Sequence, residues 1–81
     1  MIAAITVSLL NENDLPVAGK VILFDNDAVR LEADTIEGIA SFAVDDTKEY
    51  YAYVLSAEAT FQRYEIEAPA DGANYDMFGV T

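Results

Sequence analysis

The chain has 81 residues, of which 15 are acidic and four basic, and a formal charge of −11. A field of that sign repels phosphate backbones and anionic lipid headgroups, so neither nucleic acid nor a membrane surface is an expected partner. The hydrophobic fraction of 53% is too high for a disordered acidic tail, and the length suits a single domain over residues 1–81 with one core and a folded surface of roughly 4,800 Å².

Taken in chain order, short apolar runs alternate with turn residues. Ile2–Leu10 reads as the first strand; it has no basic segment before it of the kind that opens a secretory signal, so synthesis in the cytoplasm without an export signal is expected. No apolar run approaches the roughly 18 residues of a spanning helix. Asn11-Glu12-Asn13-Asp14 marks a loop, Lys20–Phe24 a second strand and Asp25-Asn26-Asp27 another loop rich in Asx residues. Val29–Ala33 is the third strand, Glu37-Gly38 a turn that calls for positive φ, and Ile39–Val44 the fourth strand. Asp45-Asp46 leads into a fifth strand at Tyr50–Ala57, followed by Phe61–Ala68, the turn Pro69-Ala70-Asp71-Gly72, and a seventh strand at Tyr75–Val80.

Alternation sorts the faces of these runs. Val7 and Leu9, Val21 and Leu23, Val29 and Leu31, Phe42 and Val44, Tyr51, Tyr53 and Leu55, and Tyr64 and Ile66 are the expected inward sets. Seven short strands with one consistent apolar face predict an all-β, two-sheet sandwich.

Three segments resemble the carboxypeptidase-regulatory-like domains, the group of transthyretin-like and Cna-B-like sandwiches. Leu15-Pro16-Val17-Ala18-Gly19-Lys20-Val21 is similar to the family's Pro-Val-x-Gly-Ala-x-Val opening. Asp34-Thr35-Ile36-Glu37-Gly38-Ile39-Ala40-Ser41-Phe42 resembles its Thr-Asp-x-x-Gly-x-Ala-x-Phe segment, and Tyr51-Ala52-Tyr53-Val54-Leu55-Ser56-Ala57 its Tyr-x-Val-x-Val-x-Ala strand. The resemblance implies an Ig-like or transthyretin-like seven-stranded sandwich that serves as a spacer, adhesive module or structural appendage. A chain with its own Met and no export signal further resembles the small Ig-like decoration and appendage proteins of tailed bacteriophages, which implies a place on a virion surface, capsid or tail. That step is an analogy of fold.

Histidine and cysteine are both absent, which excludes Ser-His and Cys-His nucleophilic catalysis, thiolate metal sites and disulfides. No enzyme activity and no cofactor are expected. Some Cna-B-like domains carry a Lys–Asn isopeptide bond promoted by an acid; Lys20, Asn74 and Glu58 are the residues available for those parts, with an exposed lysine and a turn asparagine as the simpler account. Calcium is the other ligand considered, because Asp25, Asn26 and Asp27 in one loop and Asp45 and Asp46 in another offer hard oxygens, although Asx-turns explain the same residues.

The second and fifth strands are apolar on both faces. Ile22 and Phe24 alternate against Val21 and Leu23, and Tyr50, Ala52 and Val54 against Tyr51, Tyr53 and Leu55. A protein interface formed by Ile22, Phe24, Tyr50 and Val54 is therefore expected, on a non-catalytic module that is monomeric alone and belongs to a larger assembly. The alternative is an adhesion or carbohydrate-binding module.

Overall fold

The computed structural model describes residues 1–81 and contains seven strands and no helix. They are β1 (Ile2–Leu10), β2 (Lys20–Asp25), β3 (Arg30–Asp34), β4 (Ile39–Asp45), β5 (Tyr50–Leu55), β6 (Tyr64–Ile66) and β7 (Asn74–Phe78). The strands form a sandwich of two sheets, ordered β4-β1-β7 and β3-β2-β5-β6. Every pairing is antiparallel except that of β1 with β7, which sets the first and last strands side by side in parallel. The solvent-accessible surface of 4920 Å² matches the expectation from chain length.

Alternation builds the core as the sequence indicates over most of the chain. Ala3, Ile5, Val7 and Leu9 of β1, Ala40, Phe42 and Val44 of β4, and Met77 of β7 meet Val21 and Leu23 of β2 and Ile66 of β6. Val17, in the β1–β2 connection, is also buried there.

The fifth strand departs from the expected phase. Register with β2 pairs Val21 with Val54, Leu23 with Ala52 and Asp25 with Tyr50, so Tyr50, Ala52 and Val54 face inward. Tyr51, Tyr53 and Leu55 face outward. Because the segment is apolar at every position, alternation alone cannot choose its phase; hydroxyl satisfaction and volume can. Tyr50, 4% exposed, sits at the end of the sandwich, where its hydroxyl accepts the Asp45 N–H at 2.9 Å. The opposite phase would drive the Tyr51 and Tyr53 hydroxyls toward the centre of an apolar core, at the cost of desolvating both.

Val29 also departs from its expected place: it is exposed and precedes β3. It closes a loop instead of pairing in the ladder. Asp25 Oδ1 accepts the N–H groups of Asp27 and Val29 at 2.8 and 2.9 Å, and Ala28 adopts φ +61°. The β1–β2 connection repeats this geometry: Asn11 Oδ1 accepts Asn13 and Leu15 N–H at 2.8 and 3.1 Å, with Asp14 at φ +61°. One short Asx-anchored loop is thus used twice.

Between β3 and β4 the chain crosses from one sheet to the other through Ile36–Ile39. Ile36 and Ile39 exchange hydrogen bonds of 2.9 and 3.0 Å around Glu37 (φ +53°) and Gly38 (φ +81°), a type I′ turn. At Gly38 an added Cβ would lie 2.8 Å from Pro16 Cβ, so both the backbone and the space require glycine.

These turns yield opposite expectations for two glycine exchanges. Ala28→Gly relieves a left-handed alanine, and after the entropic cost of glycine should stabilise the fold by about 0.5–1 kcal/mol, or a few degrees in Tm. Gly38→Ala should destabilise it by about 1–3 kcal/mol. Thermal melts followed by circular dichroism measure both, and a neutral or lower Tm for Ala28→Gly would show that the loop carries no strain at that residue.

Candidate binding face

The outer face of the β3-β2-β5-β6 sheet is laid out by register. Outward residues of β2 are Lys20, Ile22 and Phe24, and they pair with Leu55, Tyr53 and Tyr51 of β5. On β3 the corresponding partners are Asp34, Glu32 and Arg30; on β6, Glu65 pairs with Tyr51. Two central strands therefore present an apolar, aromatic strip bordered by charged residues from the edges.

Aromatic and guanidinium groups organise this strip. Phe24 and Tyr53 meet edge to face with centroids 5.6 Å apart. The Arg30 guanidinium lies 6.0 Å from the Phe24 centroid and that of Arg63 4.8 Å from the Tyr51 centroid, within the range of cation–π attraction. Arg30 also donates to Glu32 Oε1 at 2.7 Å, and this hydrogen bond holds the Glu32 carboxyl below its usual range. Ile22 is only 6% exposed despite facing outward, being enclosed by its cross-strand neighbours Glu32 and Tyr53. Tyr53 and Leu55 are exposed at 42% and 62%.

Three of the chain's four cationic side chains, Lys20, Arg30 and Arg63, belong to this face, where Glu32, Asp34 and Glu65 balance them. The face is neutral overall. The whole formal charge of −11 therefore resides on the rest of the molecule.

Of the four residues expected to form the interface, Ile22 and Phe24 lie on this face. Tyr50 and Val54 do not: the β5 register turns both into the core, and Tyr51, Tyr53 and Leu55 take their places. Arg30 and Arg63 escaped the sequence reading, because their relevance depends on cross-strand stacking onto aromatic rings. Alternation of Tyr51 and Tyr53 was the available signal for the outward side chains.

The acidic loops come together as well, with a cation of the chain between them. Lys48 Nζ lies 3.3 Å from Asp25 Oδ2 and 3.4 Å from Asp27 Oδ2. The N-terminal ammonium lies 3.2 Å from Asp46 Oδ1 and 3.8 Å from Asp45 Oδ1. Asp45 Oδ1 also accepts the Thr47 N–H and hydroxyl at 2.9 and 2.6 Å, and Asn26 is exposed on its loop. No group of three or more acidic side chains is arranged to hold a metal ion. The isopeptide candidates are kept apart: Lys20 lies on the outer face of one sheet and Asn74, paired with Thr6, on the outer face of the other. Glu58 accepts the Ala18 N–H at 3.2 Å.

No family model matches the chain, and no curated protein matches it. Among solved structures, the Bacillus anthracis TIE protein is similar over 99% of this chain at a TM-score of 0.70 and 17% sequence identity. The chain corresponds to 16% of that protein's length. The likeness is one of fold, and it supports the two-sheet sandwich.

Asp25 gives the acidic loops a defined pH response. The Val29 N–H chiefly, then the Asp27 N–H and Lys48, hold its carboxyl below the ordinary value of 3.8 against the opposing effect of desolvation. A depressed folded-state pKa means that this contribution to stability is complete above the unfolded value and is lost as pH falls through the folded one. Tm should therefore fall as pH drops below about 4, and Asp25→Asn, which keeps the Oδ1 acceptor but loses the charge, should flatten the fall while lowering Tm at pH 7. An unchanged acid limb in Asp25→Asn would assign the pH response to other carboxylates.

Proposed function

We propose that the chain is a non-catalytic, protein-binding module of the Ig-like, transthyretin-like sandwich class, and that it docks through the outer face of the β3-β2-β5-β6 sheet. The observation that carries this reading is the neutral aromatic and guanidinium strip on an otherwise strongly acidic domain. Docking removes water from whatever lies in the contact. A carboxylate costs several kcal/mol to desolvate without a partner, whereas burying a large apolar side chain returns about 1.5–3 kcal/mol. Tyrosine and arginine are also the side chains that most often dominate binding energy at protein interfaces. The assembly favoured by the sequence resemblance is a virion surface, with this domain as a decoration or appendage component.

The exposed Tyr53 ring also favours a second reading, in which a sugar ring stacks on it and the domain is a carbohydrate-binding or adhesion module.

A photoreactive residue in place of Leu55, tested in the cells that make the chain, should give one dominant protein adduct, whereas the same residue at Ala43, on the opposite sheet, should give none. Tyr53→Asp should remove the Leu55 adduct at unchanged Tm, and Glu67→Ala should leave it intact. Comparable adducts from Ala43, or a Leu55 adduct indifferent to Tyr53→Asp, would place the interface elsewhere. Glycan binding lost in Tyr53→Asp would support the second reading.

A further inference from the structure

The two sides of the sandwich are closed unequally. On one side β3 lies against β4, and the type I′ turn ties one sheet to the other. On the opposite side, β6 and β7 are the edges, and the sheets are joined at the end by the Thr60–Val80 bridge, with two hydrogen bonds of 2.9 Å. Beside that bridge the edges part to leave a groove of about 350 Å³ with Arg63 and Tyr64 on one bank and Asp76, Met77 and Phe78 on the other.

The backbone phase along this groove can be read from two hydrogen bonds. Thr6 N–H donates to Ala73 O at 3.0 Å and Gly79 N–H donates to Leu10 O at 2.8 Å. In a parallel ladder, alternate residues of a strand turn their amides toward the neighbour. With Thr6 opposite Asn74, Ser8 opposite Asp76 and Leu10 opposite Phe78, the amides directed at β1 are those of odd-numbered residues. Asn74, Asp76 and Phe78 therefore direct N–H and C=O away from β1, along the open edge, where no other strand pairs with β7.

Natural sheets protect such edges with charge, brevity or cover. At β3 the outward side chains Arg30, Glu32 and Asp34 are all charged, β6 has three residues, and β4 is flanked by β3. β7 has one charged residue, Asp76, and an exposed Phe78.

The geometry points to β7 as a strand-addition site: an extended basic segment of another polypeptide pairs with Asn74–Phe78 as a fourth strand of the β4-β1-β7 sheet. Its backbone satisfies the row of free amides, alternate apolar side chains enter the groove over Met77 and Tyr64, and the intervening side chains lie on the outer face beside Asp76. Charge selects the sign of that outer row. Asp76 stands at its centre on a chain of net charge −11, and the one cation lining the groove, Arg63, is on the far bank with its guanidinium over Tyr51. The same charge opposes pairing of two copies of β7. This site is distinct from the aromatic face and stands whether or not that face binds a protein.

The test is a titration of the full chain with an acetylated heptapeptide alternating Val and Lys, followed by amide NMR and hydrogen exchange. Slowed exchange at Asn74, Asp76 and Phe78 is expected, with much weaker effects from a Val and Glu peptide. Asp76→Pro removes the central donor at an edge position that tolerates proline, and should weaken binding about tenfold or more. Asp76→Lys should reverse the preference toward the Val and Glu peptide. Protection at β3 or β6, shifts confined to Tyr51 and Tyr53, or no protection at the three β7 amides would overturn the proposal. So would the same protection without peptide on raising protein concentration, since the occupant would then be a second copy.

Discussion

The pairing of Leu23 with Ala52 in the middle of the four-stranded sheet fixes more of this molecule than any other contact. It places the small side chain of β5 opposite a large one of β2 on the inner face, both fully buried. From that register it follows that Tyr50 closes one end of the core and that Tyr51 and Tyr53 stand on the outside. A slip by one residue would exchange these sets, moving the exposed aromatic rings into the core and Tyr50 out of reach of the Asp45 amide. The proposed binding face is thus the reverse side of a packing decision. Its aromatic character comes from a strand whose inner positions need a small residue at the centre and a tyrosine only at the end.

Charge is distributed by the same architecture. Loops carry most of the acids, and several of those carboxylates are structural: Asp25 and Asp45 accept backbone N–H groups of their own loops, and Asp71 accepts the Ala4 N–H at 2.8 Å. An acidic loop residue of this kind satisfies amides that a tight turn leaves without partners. Lys48 then lies between Asp25 and Asp27, which hold its ammonium above its usual pKa, foremost through the Asp25 hydrogen bond. With Lys48 committed there, the other cations are those of the four-stranded sheet. The face is neutral because Glu32, Asp34 and Glu65 balance Lys20, Arg30 and Arg63, two of which stack on strand aromatics.

The sequence was legible wherever one face of a strand was clearly apolar and the other polar. β1 and β4 show this: Ala3, Ile5, Val7 and Leu9 alternate with polar or small residues, as do Phe42 and Val44 with Ser41 and Ala43, and their boundaries and faces follow. Turn chemistry was legible too, since Glu37-Gly38 and the Asx loops adopt the geometries their residues favour. β5 was illegible because Tyr50-Tyr51-Ala52-Tyr53-Val54-Leu55 has no polar position to mark the outside. Its phase is set by cross-strand volume and by a partner for one hydroxyl, neither of which is local in sequence. The outward placement of Tyr50 and Val54 failed with it, since both inherit the wrong phase, while Ile22 and Phe24 on β2 face outward as expected.

If the proposed face is the docking surface, this charge distribution selects by refusal as much as by attraction. A partner that approaches the loop-bearing ends meets carboxylates that are solvated or already engaged with backbone amides, and displacing that hydration costs more than a flat contact returns. On the four-stranded face the same partner meets rings whose edges and faces are already arranged by neighbours, with guanidinium groups held over two of them. Arginine in that position loses less freedom on binding than a free side chain would, because stacking has restricted it beforehand. Orientation therefore requires no deep cleft. The long-range field disfavours approach of acidic partners, and the face left neutral is the one where aromatic rings and guanidinium groups already stack on one another.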